Sequence, residues 1–196
     1  MARRTYFAFH YQNDIWRVNQ IRKSWITKED IQDAGFYDAS LWEEAKKTSD
    51  VGIKRMINSG LGNTSVTAIL IGTETSNRRW VRYEIIKSFE KSNGLLGIYI
   101  HNQENQEKKK ATKGSNPFEC LGVKITDKGK KVLFYELKNS KWIEFADLPS
   151  KASNYDEKYD GKFYRLSEFG YKLYDWIDND GYNNLSSWVE EAASKK

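Results

Sequence analysis

Apolar and polar residues alternate in blocks along the first hundred positions, and each block has the length of a helix or a strand. The clearest strand is Ser65–Ile71, a nearly continuous aliphatic and β-branched run of the kind found in central parallel strands. Thr5–His10 and Leu95–Ile100 are shorter apolar runs that also predict buried strands. Between the strands, apolar residues recur with a helical period within Asp14–Trp25, where Asn13 or Asp14 can cap the helix, and again from Val81 to Phe89.

This alternation indicates βαβ units and a parallel sheet. A further helix fits between Ser49 and Gly60, since Ser49 can cap its start and Gly60 can end it. We therefore predict an α/β fold with a flavodoxin-like, doubly wound parallel sheet. Ser65–Ile71 should be central, with the first strand beside it.

The pattern changes after Ile100. Residues 101–116 are polar and rich in lysine, which predicts a long exposed loop. Val123–Ile125 and Val132–Tyr135 flank a turn and predict a β-hairpin, to which Trp142–Phe145 adds a third strand.

The C-terminal region, from Leu166 to Ala193, carries apolar residues at helical spacing and predicts two helices that break at Asp180 and Gly181. We expect an α/β core over residues 1–117. Residues 118–196 should form a hairpin and helical elaboration of the same domain, outside the parallel sheet.

Composition is that of a globular protein, with 39% hydrophobic and 30% charged residues in a chain of 196. The net charge of +5 favours anionic ligands such as nucleotides, although a plain soluble surface explains it equally well. The run Lys108–Lys110 is interpreted as a solvated loop, so nucleic acid is not an expected partner.

The scarce residue types exclude other chemistries. Cys120 is the single cysteine, which rules out an intramolecular disulfide, and with two histidines the chain offers too few ligands for a metal site. No stretch approaches the ~20 apolar residues that span a bilayer, and the first apolar run is too short for a signal peptide. The expected location is the cytoplasm, without a membrane partner.

The most informative segment is Asn77–Ile85, in which Trp80 and Glu84 stand four residues apart and share one face of the predicted helix. Val81 and Ile85 should face the core, so Glu84 would lie at the edge of the buried stripe, partly desolvated beside an indole. The alternative is a surface glutamate that pairs with a lysine. The helix follows the strongest strand, and doubly wound sheets bind ligands at the carboxyl ends of their strands.

Four segments together resemble the TIR-like family of bacterial Thoeris defence proteins. They are Tyr6–Tyr11, Asp38–Trp42, the strand that ends at Ile71–Gly72, and Asn77–Glu84. The resemblance is strong over about the first hundred residues and looser beyond them. Trp-x-x-x-Glu alone would carry little weight, but the combination is specific.

The resemblance implies cleavage of NAD between nicotinamide and ribose, with NAD as the substrate and no cofactor. The product would be a cyclic ADP-ribose isomer that activates a partner effector during phage infection. It also implies a phage-derived trigger and allows self-association. The catalytic carboxylate of the family motif falls on Glu84 and its stacking indole on Trp80.

Further site residues follow from the same resemblance. Phe9 matches the aromatic residue that closes the first strand, and with Tyr11 it would exclude water and stack the bases. Asp38 and Ser40 follow Gly35–Tyr37, a short and weak strand signal that would be the second strand, and they would line the same cleft, although Asp-x-Ser is also an ordinary turn. Ala8 stands where the family commonly has Ser, so no hydroxyl role is expected there.

Two other functions remain open at this point. The chain could be a TIR-like scaffold that assembles with partners and turns over nothing, or a plain NAD hydrolase that releases linear ADP-ribose. A pure scaffold has no need of a carboxylate at the edge of a cleft, which favours an enzyme.

Overall fold

The computed structural model of the chain describes residues 3–26 and 49–194. Its central layer is a parallel sheet whose strands stand in the order β1 (Thr5–Phe9), β2 (Val66–Ile71), β3 (Gly94–Tyr99) and β9 (Lys172–Asp175). β1 runs beside β2 in parallel register, and β2 lies between β1 and β3. The predicted central strand and its neighbour are therefore confirmed.

Helices cover both faces of this sheet. Helices α1 (Tyr11–Ile26) and α4 (Gly181–Ser194) share one apolar cluster with one face of the strands, whereas α2 (Asp50–Gly62) and α3 (Arg79–Glu90) share a second cluster with the other. Each face is apolar because successive strand residues point to opposite sides and both sides are buried. The α/β fold with a doubly wound parallel sheet is confirmed.

An antiparallel sheet follows the parallel one along the chain. In chain order its strands are β4 (Leu121–Thr126), β5 (Lys131–Lys138), β6 (Lys141–Glu144), β7 (Ser150–Ala152) and β8 (Phe163–Arg165). β4 and β5 form the predicted hairpin, and β6 is the predicted third strand. The inner face of this sheet joins the apolar cluster of α2 and α3, so it packs against the layer that carries α3.

The prediction of helix for residues 166–180 is wrong. Leu166–Phe169 is one 3-10 turn, Gly170 has a φ of 74°, and β9 then pairs with the edge of β3. The left-handed glycine ends the turn, and the backbone groups at the edge of β3 favour a strand over a short helix. The expectation that everything after residue 117 lies outside the parallel sheet is therefore wrong for β9. The division of the domain at residue 117 stays a prediction.

The loop over residues 101–116 is largely exposed, as predicted, but its backbone is anchored. The Arg17 guanidinium donates to the carbonyls of Gln103 and Lys109 at 2.7 and 3.0 Å. Thr73 Oγ1 donates to the carbonyl of Thr112 at 2.7 Å. These bonds hold the loop against α1 and the turn that follows β2.

Candidate active site

The candidate active site centres on Glu84, in the middle of α3. The helix starts after β2 and runs back across the sheet, burying the stripe that contains Val81 and Ile85. Glu84 lies one turn from Val81 on the same side, and only 1% of it is exposed. The partly buried position predicted for Glu84 is therefore wrong: the side chain is fully buried where α3 packs on the parallel sheet, and Tyr6 of β1 reaches it there.

The carboxyl group of Glu84 is held from the first strand. Tyr6 Oη donates to Glu84 Oε1 at 2.6 Å, a short bond typical of a carboxyl acceptor. Tyr6 reaches it because side chains alternate along β1, so Tyr6 and Ala8 face α3. Glu84 Oε2 is buried and has no hydrogen-bond partner among residues 3–26 and 49–194.

Burial raises the pKa of Glu84 to about 8, and the hydrogen bond from Tyr6 opposes that rise. The charged form loses its hydration inside the protein, and one hydroxyl donor compensates only part of that loss. At neutral pH the carboxyl group of Glu84 is therefore mostly protonated. A carboxyl group in this state can ionise when a cationic ligand enters.

Trp80 lies one turn before Glu84 and is partly buried against the same apolar cluster. The edge of Tyr83 meets it at 6.0 Å between ring centroids, and the guanidinium of Arg79 lies 4.4 Å from its centroid. Arg79 is fixed in turn by Asp147, which accepts two hydrogen bonds of 2.7 Å from it. The start of α3 is thus attached to the chain that follows β6.

Asp147 also binds a residue of α2, so that α2 is joined to the contact between Asp147 and Arg79. Lys54 Nζ lies 2.9 Å from Asp147 Oδ1 and donates to the Asp147 carbonyl at 3.0 Å. The hydrogen bond from Arg79 is the main cause that lowers the pKa of Asp147 to about 2. Asp147 therefore stays ionised over the whole neutral range and keeps both cations in place.

Phe9 and Tyr11 lie on the other side of the sheet from Glu84. Their ring centroids are 6.4 Å apart, and both belong to the apolar cluster of α1 and α4. The alternation that points Tyr6 towards Glu84 points Phe9 away from it. The structure therefore brings Trp80 and Glu84 together on one helix but does not place the Phe9 ring in their layer. Roles of Phe9 and Tyr11 in substrate binding stay predictions.

Asp38 and Ser40 lie outside the described residues, so their predicted place in the cleft is not tested. Tyr6, the partner of Glu84, was missed by the sequence reasoning. It is an aromatic residue within a predicted buried strand, and only the alternation Tyr6–Ala8 against Phe7–Phe9 marks it as facing the opposite helices.

A second buried carboxyl group, Asp14 on α1, was interpreted only as a helix cap. It is 2% exposed and meets the carboxyl end of β2, where Thr75 Oγ1 lies 3.5 Å from its Oδ2 and Gly72 leaves room for it. Burial raises the pKa of Asp14 to about 6, against the opposing charge of Arg17. Because Asp14 stands at the predicted start of the helix, the sequence pattern indicated a cap and did not indicate that its carboxyl group is buried.

The parallel sheet with helices on both faces, and a carboxyl group on the helix after β2, define a TIR-like α/β domain. Residues 6–105, about half of the chain, match the family described as "Thoeris protein ThsB, TIR-like domain". The chain is also similar to the "Putative cyclic ADP-D-ribose synthase ThsB1" of Bacillus cereus (strain MSX-D12), with 51% identity over 192 residues, 96% of this chain and 100% of that protein. The chain therefore belongs to the ThsB family of TIR-like Thoeris proteins.

Two further findings concern the described part of the chain. None of its helices is long and apolar enough to cross a bilayer. Within residues 3–26 and 49–194, no three metal-ligating side chains of His, Cys, Asp or Glu come together in a group that could hold an ion.

Proposed function

We propose that the chain is an NAD-cleaving enzyme that releases nicotinamide and forms a cyclic ADP-ribose isomer, with Glu84 as its catalytic carboxylate. The observation that carries the proposal is the buried carboxyl group of Glu84, with one oxygen held by Tyr6 and the other without a partner in the described chain. The name of the Bacillus cereus relative, which describes a cyclic ADP-D-ribose synthase, points to the same chemistry.

One carboxylate is enough for this reaction. Hydrolysis of ordinary glycosides uses two, because an alcohol leaving group must be protonated as it departs. The nicotinamide of NAD is cationic while bound and leaves as a neutral molecule, so no general acid is needed. A single anionic oxygen beside the ribose can then stabilise the oxocarbenium ion that develops.

The protonation state of Glu84 fits such a site. With a pKa of about 8, the carboxyl group of Glu84 carries a proton at neutral pH. The positive charge of the nicotinamide ring favours the ionised form, so substrate binding would drive off that proton. Tyr6 keeps one oxygen engaged and so fixes the direction in which the other oxygen points.

Ring closure requires a nucleophile other than water. A hydroxyl group of the same dinucleotide, held near the anomeric carbon, can attack before water does if the pocket is dry. Aromatic residues such as Trp80 serve that purpose by excluding water and stacking against a base. NAD is then a substrate, and the reaction needs no cofactor.

The cyclic product would act as a diffusible signal in the cytoplasm, activating a partner effector when a phage-derived cue appears. The chief competing reaction is plain hydrolysis to linear ADP-ribose. Incubation of the purified chain with NAD, with and without lysate of phage-infected cells, tests both. Mass analysis should show nicotinamide and a product with the mass of ADP-ribose less one water. A product at the full mass of ADP-ribose would instead support a hydrolase.

A further inference from the structure

A cavity lies in the antiparallel part of the molecule, and Glu84 is not among the residues that line it. It has a volume of about 410 Å³, within the range of small-ligand sites. Its floor is made by Val123 and Ile125 of β4, and its walls are the rings of Tyr155, Tyr159, Tyr164 and Phe169.

The aromatic walls are fixed in place from behind. Phe169 meets the edges of Phe89 and Tyr164 at 5.3 and 6.3 Å between centroids and stacks on Tyr171 at 6.1 Å. Tyr155 is anchored through its backbone N–H, which donates to the carbonyl of Gly129 at 3.0 Å. Rings that are held from one side and open on the other form a preorganised surface for a flat ligand.

Polar groups in the walls are not used by the fold. The hydroxyl groups of Tyr155, Tyr159 and Tyr164 make no hydrogen bond to any described residue, although each borders the cavity. About 39% of Tyr155 and of Phe169 is exposed. The cavity therefore offers three phenol hydroxyls and open ring surface to a ligand.

Charges of opposite sign flank the cavity at two different walls. At the Tyr159 wall, Lys158 Nζ and Lys162 Nζ lie 5.1 and 5.2 Å from the ring centroid. Lys158 Nζ forms an ion pair with Asp156 Oδ2 at 3.3 Å, whereas Lys162 has no carboxylate within ion-pair distance in the described chain. Glu168 lies beside Phe169. Its Oε1 accepts a hydrogen bond from the backbone N–H of Arg165, and its Oε2 has no hydrogen-bond partner among the described residues.

We propose that this cavity, the tyrosine pocket, binds a nucleotide. A nucleotide combines a flat base that stacks on aromatic rings with a phosphate that lysines attract. An amino group on the base suits the carboxylate of Glu168, and the phosphate suits Lys158 and Lys162. The site is separate from Glu84 and does not depend on the proposed catalytic function.

The direct test measures the binding of AMP to the full chain by titration calorimetry at a fixed low salt concentration. AMP should bind, and adenosine should bind at least about fivefold more weakly because it lacks the phosphate. Tyr159→Ala should weaken AMP binding by about tenfold. Equal affinity for adenosine and AMP would overturn the role of the lysines, and no binding of AMP at millimolar concentration would overturn the proposal.

The control is Tyr135→Ala. Tyr135 is also partly buried on the antiparallel sheet, but it lies on the face away from the pocket, where its ring meets Phe163 at 5.7 Å. This variant should bind AMP as the unchanged chain does. A Lys158→Glu, Lys162→Glu double variant changes two exposed side chains and keeps the rings. It should lose the preference for AMP over adenosine while keeping the same thermal unfolding midpoint.

NAD contains an AMP unit, so on these proposals it binds both at Glu84 and in the tyrosine pocket. The test must therefore separate binding at the two sites. In a Glu84→Gln background, in which turnover is expected to stop, NAD should still bind the tyrosine pocket, and Tyr159→Ala should weaken that component. If Tyr159→Ala leaves both AMP and NAD binding unchanged, the tyrosine pocket is not a nucleotide site. The proposed NAD cleavage would stand in that case, since it is measured by its products.

Discussion

Tyr6 Oη lies 2.6 Å from Glu84 Oε1, so a hydroxyl on the first strand holds a carboxyl group that is 78 residues away in the chain. Because this hydrogen bond opposes the effect of burial, it keeps the pKa of Glu84 lower than burial alone would leave it. The bond also joins β1 to α3 across the apolar cluster that both share.

Tyr6→Phe should therefore raise the pKa of Glu84 further above about 8. On the proposed mechanism only the ionised carboxylate of the free enzyme is competent, so kcat/KM for NAD should rise with pH up to that pKa. The variant should show the same rise displaced to higher pH, with activity at pH 7 lower by about tenfold. A pH profile of kcat/KM that is unmoved in Tyr6→Phe would show that the hydroxyl does not tune Glu84.

The buried carboxyl group also makes stability depend on pH. The pKa of Glu84 is about 8 in the folded chain and 4.5 as the reference, so between these values the folded state holds a proton that the unfolded state has lost. The free energy of unfolding should therefore fall as pH rises from about 4.5 to about 8, by roughly 1.4 kcal/mol per pH unit from this group.

Glu84→Gln removes that dependence, because an amide does not titrate. Relative to the unchanged chain, the variant should gain stability as pH rises, by about a few kcal/mol between pH 5 and pH 8. Urea unfolding at several pH values measures it. Asp14, whose raised pKa acts in the same direction, is present in both chains and cancels. Parallel pH dependence in the two proteins would contradict the burial of Glu84.

The contact between Arg79 and Asp147 should matter for substrate binding. Asp147→Asn removes one of the two carboxylates that hold Arg79 over the Trp80 ring and leaves Asp50, 2.8 Å from Arg79 Nη2, as the other; the looser guanidinium should let the indole move. We expect KM for NAD to rise by about three- to tenfold, with a smaller effect on kcat. The control is Glu190→Gln on α4, which removes an exposed ion pair with Arg3 and should leave both constants unchanged. Equal effects of the two variants would argue against a role for this contact.

Gly72 is needed because Asp14 occupies the space of a side chain there. A Cβ at Gly72 would lie 2.2 Å from Asp14 Oδ2, and that carboxyl group is buried and cannot swing out freely. Gly72→Ala should destabilise the chain by about 1–3 kcal/mol.

Two comparisons check this assignment. Combining Gly72→Ala with Asp14→Ala should recover part of the loss, seen as a coupling energy in a double-mutant cycle. Gly62→Ala, at a position with no atom within 4 Å of the added Cβ, should be close to neutral. A cost for Gly62→Ala equal to that for Gly72→Ala would mean that the clash is not the cause.

The sequence was sufficient for the parts of the fold that repeat a strong local pattern. Val66–Ile71 is aliphatic except for Thr67, and the hairpin β4–β5 carries its turn residues, so both were predicted correctly. β9 was predicted as helix because four residues hold too little pattern to tell a strand from a helix. Its conformation is decided by pairing with β3, which lies far away in the chain.

The same distinction, between local patterns and contacts of distant residues, applies to the candidate active site. Trp80 and Glu84 could be grouped because four residues on a helix share a face, which is a local relationship. The full burial of Glu84 could not be predicted, since it depends on how α3 packs against β1, a contact between residues 78 positions apart in the chain. Tyr6 was hidden for the same reason: its partner is set by how a strand and a distant helix pack.

The most direct test of the account is the nucleotide product formed from NAD by the unchanged chain and by Glu84→Gln, measured under activating conditions with infected-cell lysate. Glutamine keeps the size and the hydrogen-bond acceptor for Tyr6 but cannot carry the negative charge. We predict nicotinamide release and cyclic product from the unchanged chain, and a loss of about 10²-fold or more in Glu84→Gln with NAD binding retained. Undiminished turnover by a folded Glu84→Gln would contradict the central claim that this carboxylate carries the reaction.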